Sequence, residues 1–240
     1  MKNKQIRIIF LCITVLFCSY QMEFICSASE KKPVIFVPQD TFEFPTVPAG
    51  QMVLHDFIVQ NNGDAPLLIE EVEPDCGCTA VDFSKQIPPN GKGKVTVKLN
   101  TIDYGGNFIT KYVEIFSNDP KKPVTNLIIK GTVDKFIEET EPLFARLKGI
   151  AGEKMETEAT ITPSIKYPFK IIDLKTQKKE NIDVVLKQSK EKTGSIKHIL
   201  KIENVRKTPG HYHDIISVRT DSPVRPELKI FVFGDIGASK

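Results

Sequence analysis

No stretch of this sequence stays apolar for the roughly 20 residues that a membrane-spanning helix needs, the run from Ile8 to Cys18 reaching only about 11. Cysteine is scarce as well, at five in 240 residues, and three of the five (Cys12, Cys18 and Cys26) lie before residue 29. Charge of one sign is nearly absent. The formal net charge is +3, and removing Lys2, Lys4, Arg7 and Glu23 with the first 28 residues leaves about +1, so no basic patch for nucleic acid remains to be explained. There is no G-x-S-x-G elbow, no H-E-x-x-H pair and no glycine loop to cradle phosphate, so no nucleophile constellation can be read and no enzyme is expected. Helical periodicity sustained over three turns is missing too, which excludes helical bundles.

What the chain does have begins with an address. Lys2, Lys4 and Arg7 precede the apolar run, and Cys26, Ser27 and Ala28 supply small residues, the pattern of a secretory signal peptide over residues 1–28 cleaved after Ala28. The protein is therefore expected to be exported, to the periplasm or the cell surface, with no transmembrane segment in the mature chain. Only Cys76 and Cys78 remain there, in a compartment where disulfides persist. Roughly 212 residues suit two domains of about 100 each.

From Lys32 onward, short segments of alternating apolar and polar residues recur at about ten-residue spacing, separated by turn residues, an all-β pattern. Pro33–Val37 and Thr41–Phe44 are expected to form a first strand pair. A strand through Met52, Leu54, Phe57 and Val59 ends at Asn61, Asn62, Gly63 and Asp64, a polar turn whose glycine permits positive φ. Leu67–Val72 delivers the chain to Cys76. Pro88, Pro89, Asn90 and Gly91 form a turn whose glycine is expected to relieve the reversed residue. Val95, Val97 and Leu99 then alternate with Lys94, Thr96, Lys98 and Asn100, one buried face and one wet.

Residues 94–133 can be laid on residues 197–236 at a constant offset of 103. Apolar alternation matches, and so do punctuating residues: Pro123 meets Pro226 and Gly131 meets Gly234. The chain thus reads as two copies of one unit of about seven short strands, the pattern of two tandem immunoglobulin-like sandwiches. They are placed at residues 32–134 and 141–237, with a charged break over Asp134 to Glu141.

Within the first copy, Glu73 to Thr79 with its Cys-Gly-Cys-Thr, then Ile87 to Gly91, Asn100-Thr101, Gly106, Ser117 to Pro120, and Ile129 to Gly131 follow one another in a specific order. This order resembles the bacterial family of domain of unknown function 1573 over about residues 35–135. The resemblance implies an exported immunoglobulin-like domain, akin to the major-sperm-protein and PapD-type sandwich, with no assigned activity.

Cys76 and Cys78 are the leading site candidates. A disulfide between them needs Cα atoms about 4.4–6.8 Å apart, which a glycine-centred bend allows with strain. As a dithiol the pair would offer two thiolates to Cu(I) or to zinc, the latter needing two further ligands. As structure they are small, easily buried residues at a strand bend. The offset puts Lys179 and Asn181 in their places in the second copy. His211 and His213 share one face of a strand and could chelate a metal, or form a solvated edge beside Asp214. His55 and Asp56 lie on the strand facing the cysteine region in sequence order. His198 replaces Val95 and is expected to be semi-exposed.

The sequence therefore points to a non-catalytic exported protein that binds or scaffolds a protein partner in the cell envelope. Two other readings are a thiol- or copper-handling module working through Cys76 and Cys78, and a pilus-type periplasmic chaperone suggested by size and domain count.

Overall fold

The computed structural model describes residues 30–75, 78–142, 144–190, 194 and 196–238, and among these it contains strands and turns with no helix. The strands of the first half are β1 (Ile35–Phe36), β2 (Thr41–Pro48), β3 (Met52–Asn61), β4 (Leu67–Pro74), β5 (Cys78–Phe83), β6 (Gln86–Ile87), β7 (Lys92–Asn100), β8 (Asn107–Ser117) and β9 (Val124–Asp134). They form two sheets in the orders β1-β3-β7-β5 and β2-β9-β8-β4-β6. This is the A-B-E-D and C-F-G arrangement of an immunoglobulin-type sandwich. Alternating side chains from both sheets fill the core, among them Phe57, Val95, Val97, Leu99, Ile115 and Ile129.

The first strand is split between the two sheets. β1 pairs antiparallel with β3, whereas β2 crosses over and pairs parallel with β9. The expected pairing of these two segments with each other is thus overturned. Ile35 and Phe44 are both buried, and each can be so only by lining a different sheet of the core. The Asp40 carbonyl accepts the Ile128 N–H at 2.7 Å, fixing the crossover. Gly63 does not use the positive φ open to it, and the expectation for Gly91 fails, because the reversed residue at the second turn is Asn90, at φ 56°. Glycine is needed at 63 for space, because a Cβ there would lie 2.2 Å from the Lys32 carbonyl oxygen.

The second half repeats the plan with β10 (Ile137–Glu141), β11 (Phe144–Ile150), β12 (Glu156–Pro163), β13 (Ile171–Thr176), β14 (Ile182–Lys190), β15 (Ile196–Asn204), β16 (Gly210–Thr220) and β17 (Glu227–Gly237). Its sheets run β10-β12-β15-β14 and β11-β17-β16-β13, again with the split strand parallel to the last one. β16 and β17 begin and end 103 residues after β8 and β9. The parallel registers Thr41↔Ile128 and Phe144↔Phe231 differ by the same 103. The equivalence therefore reaches well upstream of residue 94, into strands whose sequences have diverged beyond a visible match. β10 occupies part of the charged stretch expected to break the strand pattern. Backbone pairing with β12, through a bulge between Ile137 and Glu139, outweighs its poor composition.

Side-chain and backbone contacts fasten the halves. Lys166 and Tyr167 both bond the Asp134 carboxylate, which holds it below its usual range. The Ser164 N–H donates to the Phe136 carbonyl, and Phe136 is buried in a stack with Phe169 at 5.1 Å. One strand has no counterpart. β6 leaves the β5 side and caps the edge of β4, pairing Ile87 with Leu67, whereas in the second half the chain stays in β14 and pairs with β15 as far as Lys190.

Candidate functional site

β4 brings the chain to the cysteine turn on one sheet, and β5 leaves it on the other, with Cys78 in register with Leu99 of β7. The approach is held firmly. The Asp75 N–H donates to the Tyr112 carbonyl at 2.9 Å, and the Lys111 ammonium lies 3.8 Å from the Asp75 carboxylate and 4.9 Å from the centre of the Tyr104 ring. A mostly buried cation thus pairs with the residue that precedes Cys76. Cys76, Gly77 and the Cys78 side chain lie outside the described residues, as do the disulfide and metal expectations that depend on them.

His55 does not join this turn. Its register partner is Val97, whose other neighbour is Ala80, so two strand spacings, about 10 Å, separate it from β5. It lies flat on Phe42 at 3.7 Å and edge-on to Phe57 at 4.7 Å. Burial lowers its pKa, opposed by Asp56. Asp56 sits on the outer face, accepting bonds from Thr96 Oγ1 at 2.6 Å and Lys94 Nζ at 3.2 Å. The two neighbours in sequence therefore face opposite ways, and they form no acid–base pair.

His211 and His213 do share the outer face of β16, as the alternation requires. His211 Nδ1 lies 3.2 Å from Asp235, and His213 stands opposite Phe233. Among the described residues no group of three or more His, Cys, Asp or Glu is placed to hold a metal ion. His198 corrects the expectation of partial exposure: it is fully buried, at the core position Val95 holds in the first copy. Burial lowers its pKa, with the Phe169 backbone pulling the other way.

Several residues of the family-like motif turn out to be scaffold. Thr101 is buried, with its hydroxyl donating to the Gln51 carbonyl at 2.7 Å and accepting the Gly50 N–H at 3.0 Å. Asp119 accepts the N–H groups of Ile35, Lys121 and Lys122. Burial works to raise its pKa, yet those three bonds bring it below the usual value. Asn118 bonds the backbone of Leu68 and Pro66. Buried Asn61, read only as part of a turn, spans four partners: Val34, Gly63, Ala65 and Ile87.

The feature that sequence reasoning missed lies in the second copy. A cleft of about 620 Å³ opens between β13 and β14, with Asp173, Lys175, Lys179, Ile182, Asp183 and Val205 on its walls. Lys179 is the counterpart of Cys76, so the two copies place different chemistry at the same corner. The offset of 103 pointed to this corner, but only the loss of the β6 cap shows it to be open.

Comparisons with known proteins are consistent with the modest information in the motifs. The family model described as Protein of unknown function (DUF1573) matches residues 35–133. No curated protein matches the chain. Among solved structures, a protein of unknown function from Porphyromonas gingivalis W83 is 13% identical, with 84% of this chain and 99% of that one covered, at a TM-score of 0.36. The ASH/PapD-like domain 7 of human CEP192 is 11% identical over 43% of this chain and 87% of its own, at 0.37. The titin domains Z1Z2, solved in complex with telethonin, are 11% identical over 87% and 98%, at 0.27. Residues 35–133, the first sandwich, thus carry the match to the DUF1573 family of proteins of unknown function.

Proposed function

We propose that this protein is a non-catalytic binding module of the cell envelope, exported through its first 28 residues, and that it takes up an extended segment of a protein partner at the β13–β14 corner. The carrying observation is the pair of open edges there. β14 bonds β15 along all nine of its residues and is the last strand of its sheet, and β13 is the last strand of the other. In the first copy β6 covers the equivalent edge, with Ile69 N–H also bonded to the Lys85 carbonyl. Without that cap, no strand among the described residues covers the outer side of β13, and its main-chain groups can pair with an added strand.

The side chains fit such a role. Ile172 and Val185 are each about half exposed on these edges, offering apolar anchors. Lys187 and Lys190 at the far end of β14 discourage pairing with a second copy, a common protection of exposed edges. The test is a photo-crosslinking residue placed at Ile172 or Val185 in the producing cells. A discrete protein adduct from the envelope fraction is expected at these positions and not at Lys98, on the outer face of the central strand β7. Equal labelling at Lys98, no adduct at either edge, or substrate turnover by the pure protein would remove the reading.

A further inference from the structure

Away from that corner, the junction of the two halves contains a cation with no hydrogen-bonded or ion-paired partner among the described residues. Arg225, on the β16–β17 turn, reaches across to the first sandwich. Its Cγ and Cδ pack against Gly50, where an added Cβ would come within 2.6 and 2.7 Å of them, and Gly50 sits at φ +101°, a conformation suited to glycine. Its guanidinium lies 5.9 Å from the centre of the Phe136 ring. The stem is thus clamped by one sandwich and the head rests on the aromatic residue that joins the two. None of the five guanidinium donors meets an acceptor among the described residues, although the residue is half-buried. Asp103 acts on it through space, and no ion pair forms between them.

The guanidinium opens on an interdomain cleft of about 310 Å³. Ile102 and Asp103 come from the first sandwich, while Ile137, Thr140, Lys229 and Ile230 come from the second. The polar groups are two cations, one carboxylate and the Thr140 hydroxyl, and the remaining walls are aliphatic. The half-buried guanidinium is open to water and to a ligand from the cleft side, and its planar fork matches a carboxylate in a two-bonded pair stronger than a neutral hydrogen bond. Burial already lowers the pKa of Arg225, with Asp103 opposing. A cleft of this size takes a head group and a short branched chain, and an interface between domains is a common place for such a site.

We infer that the cleft between the sandwiches binds a carboxylate carried on a short apolar body, with Arg225 as the anchor, Lys229 as the second cation and the isoleucines as the apolar seat. The same chemistry is offered by a free branched-chain acid and by the last residue of a peptide. This site is independent of the β13–β14 edge, and its failure would leave that reading untouched.

The experiment uses the whole exported chain, labelled with ¹⁵N, and titrates it with N-acetyl-leucine, its amide, and an acetylated tripeptide ending in leucine. The acid is expected to shift the Gly50 and Thr140 amides and the Arg225 Nε–H to saturation, and the amide to shift none of them. Arg225→Gln should weaken acid binding about tenfold or more while the remaining spectrum stays in place, and Asp103→Asn should tighten it by removing the competing carboxylate. Tighter binding of the tripeptide assigns the site to a chain terminus, and equal binding assigns it to a free acid. Acid and amide binding alike, or unchanged binding by Arg225→Gln, would overturn the inference, as would saturating shifts confined to residues outside the cleft.

Discussion

His198 stands in the second sandwich where Val95 stands in the first, 103 residues earlier, and both are fully buried. The imidazole gains little from its place. Its Nε2 meets no acceptor or donor within hydrogen-bond geometry among the described residues, its Nδ1 has Gln188 Nε2 at 3.4 Å, and the Phe169 backbone offers only a weak interaction that opposes the effect of burial. A buried donor or acceptor without a partner is a net cost that an apolar side chain avoids. His198→Val is therefore expected to leave stability unchanged or raised, within about 1 kcal/mol, the smaller volume offsetting part of the gain.

The same residue sets a pH window. Its folded pKa lies below the unfolded value of about 6.5, so at pH values under about 6.5 the unfolded chain binds the proton first. Stability contributed by the neutral form is complete above that pH and declines as pH falls toward the folded pKa. His55 shifts in the same direction for the same cause. Urea midpoints at pH 7.5 and 5.5 should show a decline in the native protein that His198→Val reduces and that a further His55→Phe reduces again. An identical decline in all three proteins would contradict it.

Asp119 gives the opposite case, a carboxylate that must stay charged. Its folded pKa is depressed, so its contribution is present above about 3.8 and is lost as pH falls through that value toward the folded pKa. Asp119→Ala orphans the Ile35, Lys121 and Lys122 N–H groups and should cost on the order of 3 kcal/mol. Asp119→Asn keeps an acceptor oxygen and should cost less. The loss belongs to the first sandwich, so hydrogen exchange in β1 and β8 should accelerate while β16 is spared.

Much of this architecture was legible because alternation reports burial directly. Val95, Val97 and Leu99 face inward as their spacing requires, and the strand ends recur at the offset read from prolines and glycines. Which edges pair was not legible. Nothing in Thr41–Phe44 says that it will cross to β9, because edge pairing is decided by the whole sandwich and leaves no local signature. His198 was misplaced because its polarity was weighed above its position, although the repeat had already aligned it with a valine. The β13–β14 cleft escaped for a third reason: it arises from a strand that the second copy lacks, and an unmade crossover writes no motif. Arg225 and Gly50 lie 175 residues apart, beyond any spacing rule.

The second copy also bears on the cysteines. It builds the same corner with Lys179 and Asn181 in place of Cys76 and Cys78, and buried Asn181 is held by Asp214 at 3.4 Å. Thiols are therefore not a requirement of the fold. A disulfide closing so small a loop would constrain the unfolded chain by only about 1–2 kcal/mol. The Cys76→Ser/Cys78→Ser double variant should keep its strand content by circular dichroism and lose less than about 2 kcal/mol. Intact mass with and without reductant and alkylation gives the redox state of the native pair, and Cu(I) titration of the reduced protein, native against Cys76→Ser, tests the metal role. Collapse of the double variant would restore an architectural role to the pair.

Gly234 is the position where the smallest change should do the most harm. It lies across from Tyr212, and a Cβ there would fall 2.0 Å from Cε1 and 2.2 Å from Cζ of that ring. The ring cannot move aside freely. Its hydroxyl donates to Asn204 Oδ1 at 2.9 Å, and the side chain is buried deeply enough that desolvation, with Asp214 adding to it, pushes its pKa up to about 12. Gly234→Ala should therefore cost on the order of 3 kcal/mol, at the upper end of what overpacking produces. At Gly131, its counterpart, an added Cβ would fall 2.6 Å from the Phe44 ring, so Gly131→Ala should respond in the first sandwich instead. Adding Tyr212→Leu to Gly234→Ala should recover part of the loss, because residues in direct contact are not additive. Urea unfolding of the two single variants and the double variant measures this. A Gly234→Ala protein as stable as the native one would show that β16 and β17 can separate without strain, contrary to the close packing described for them.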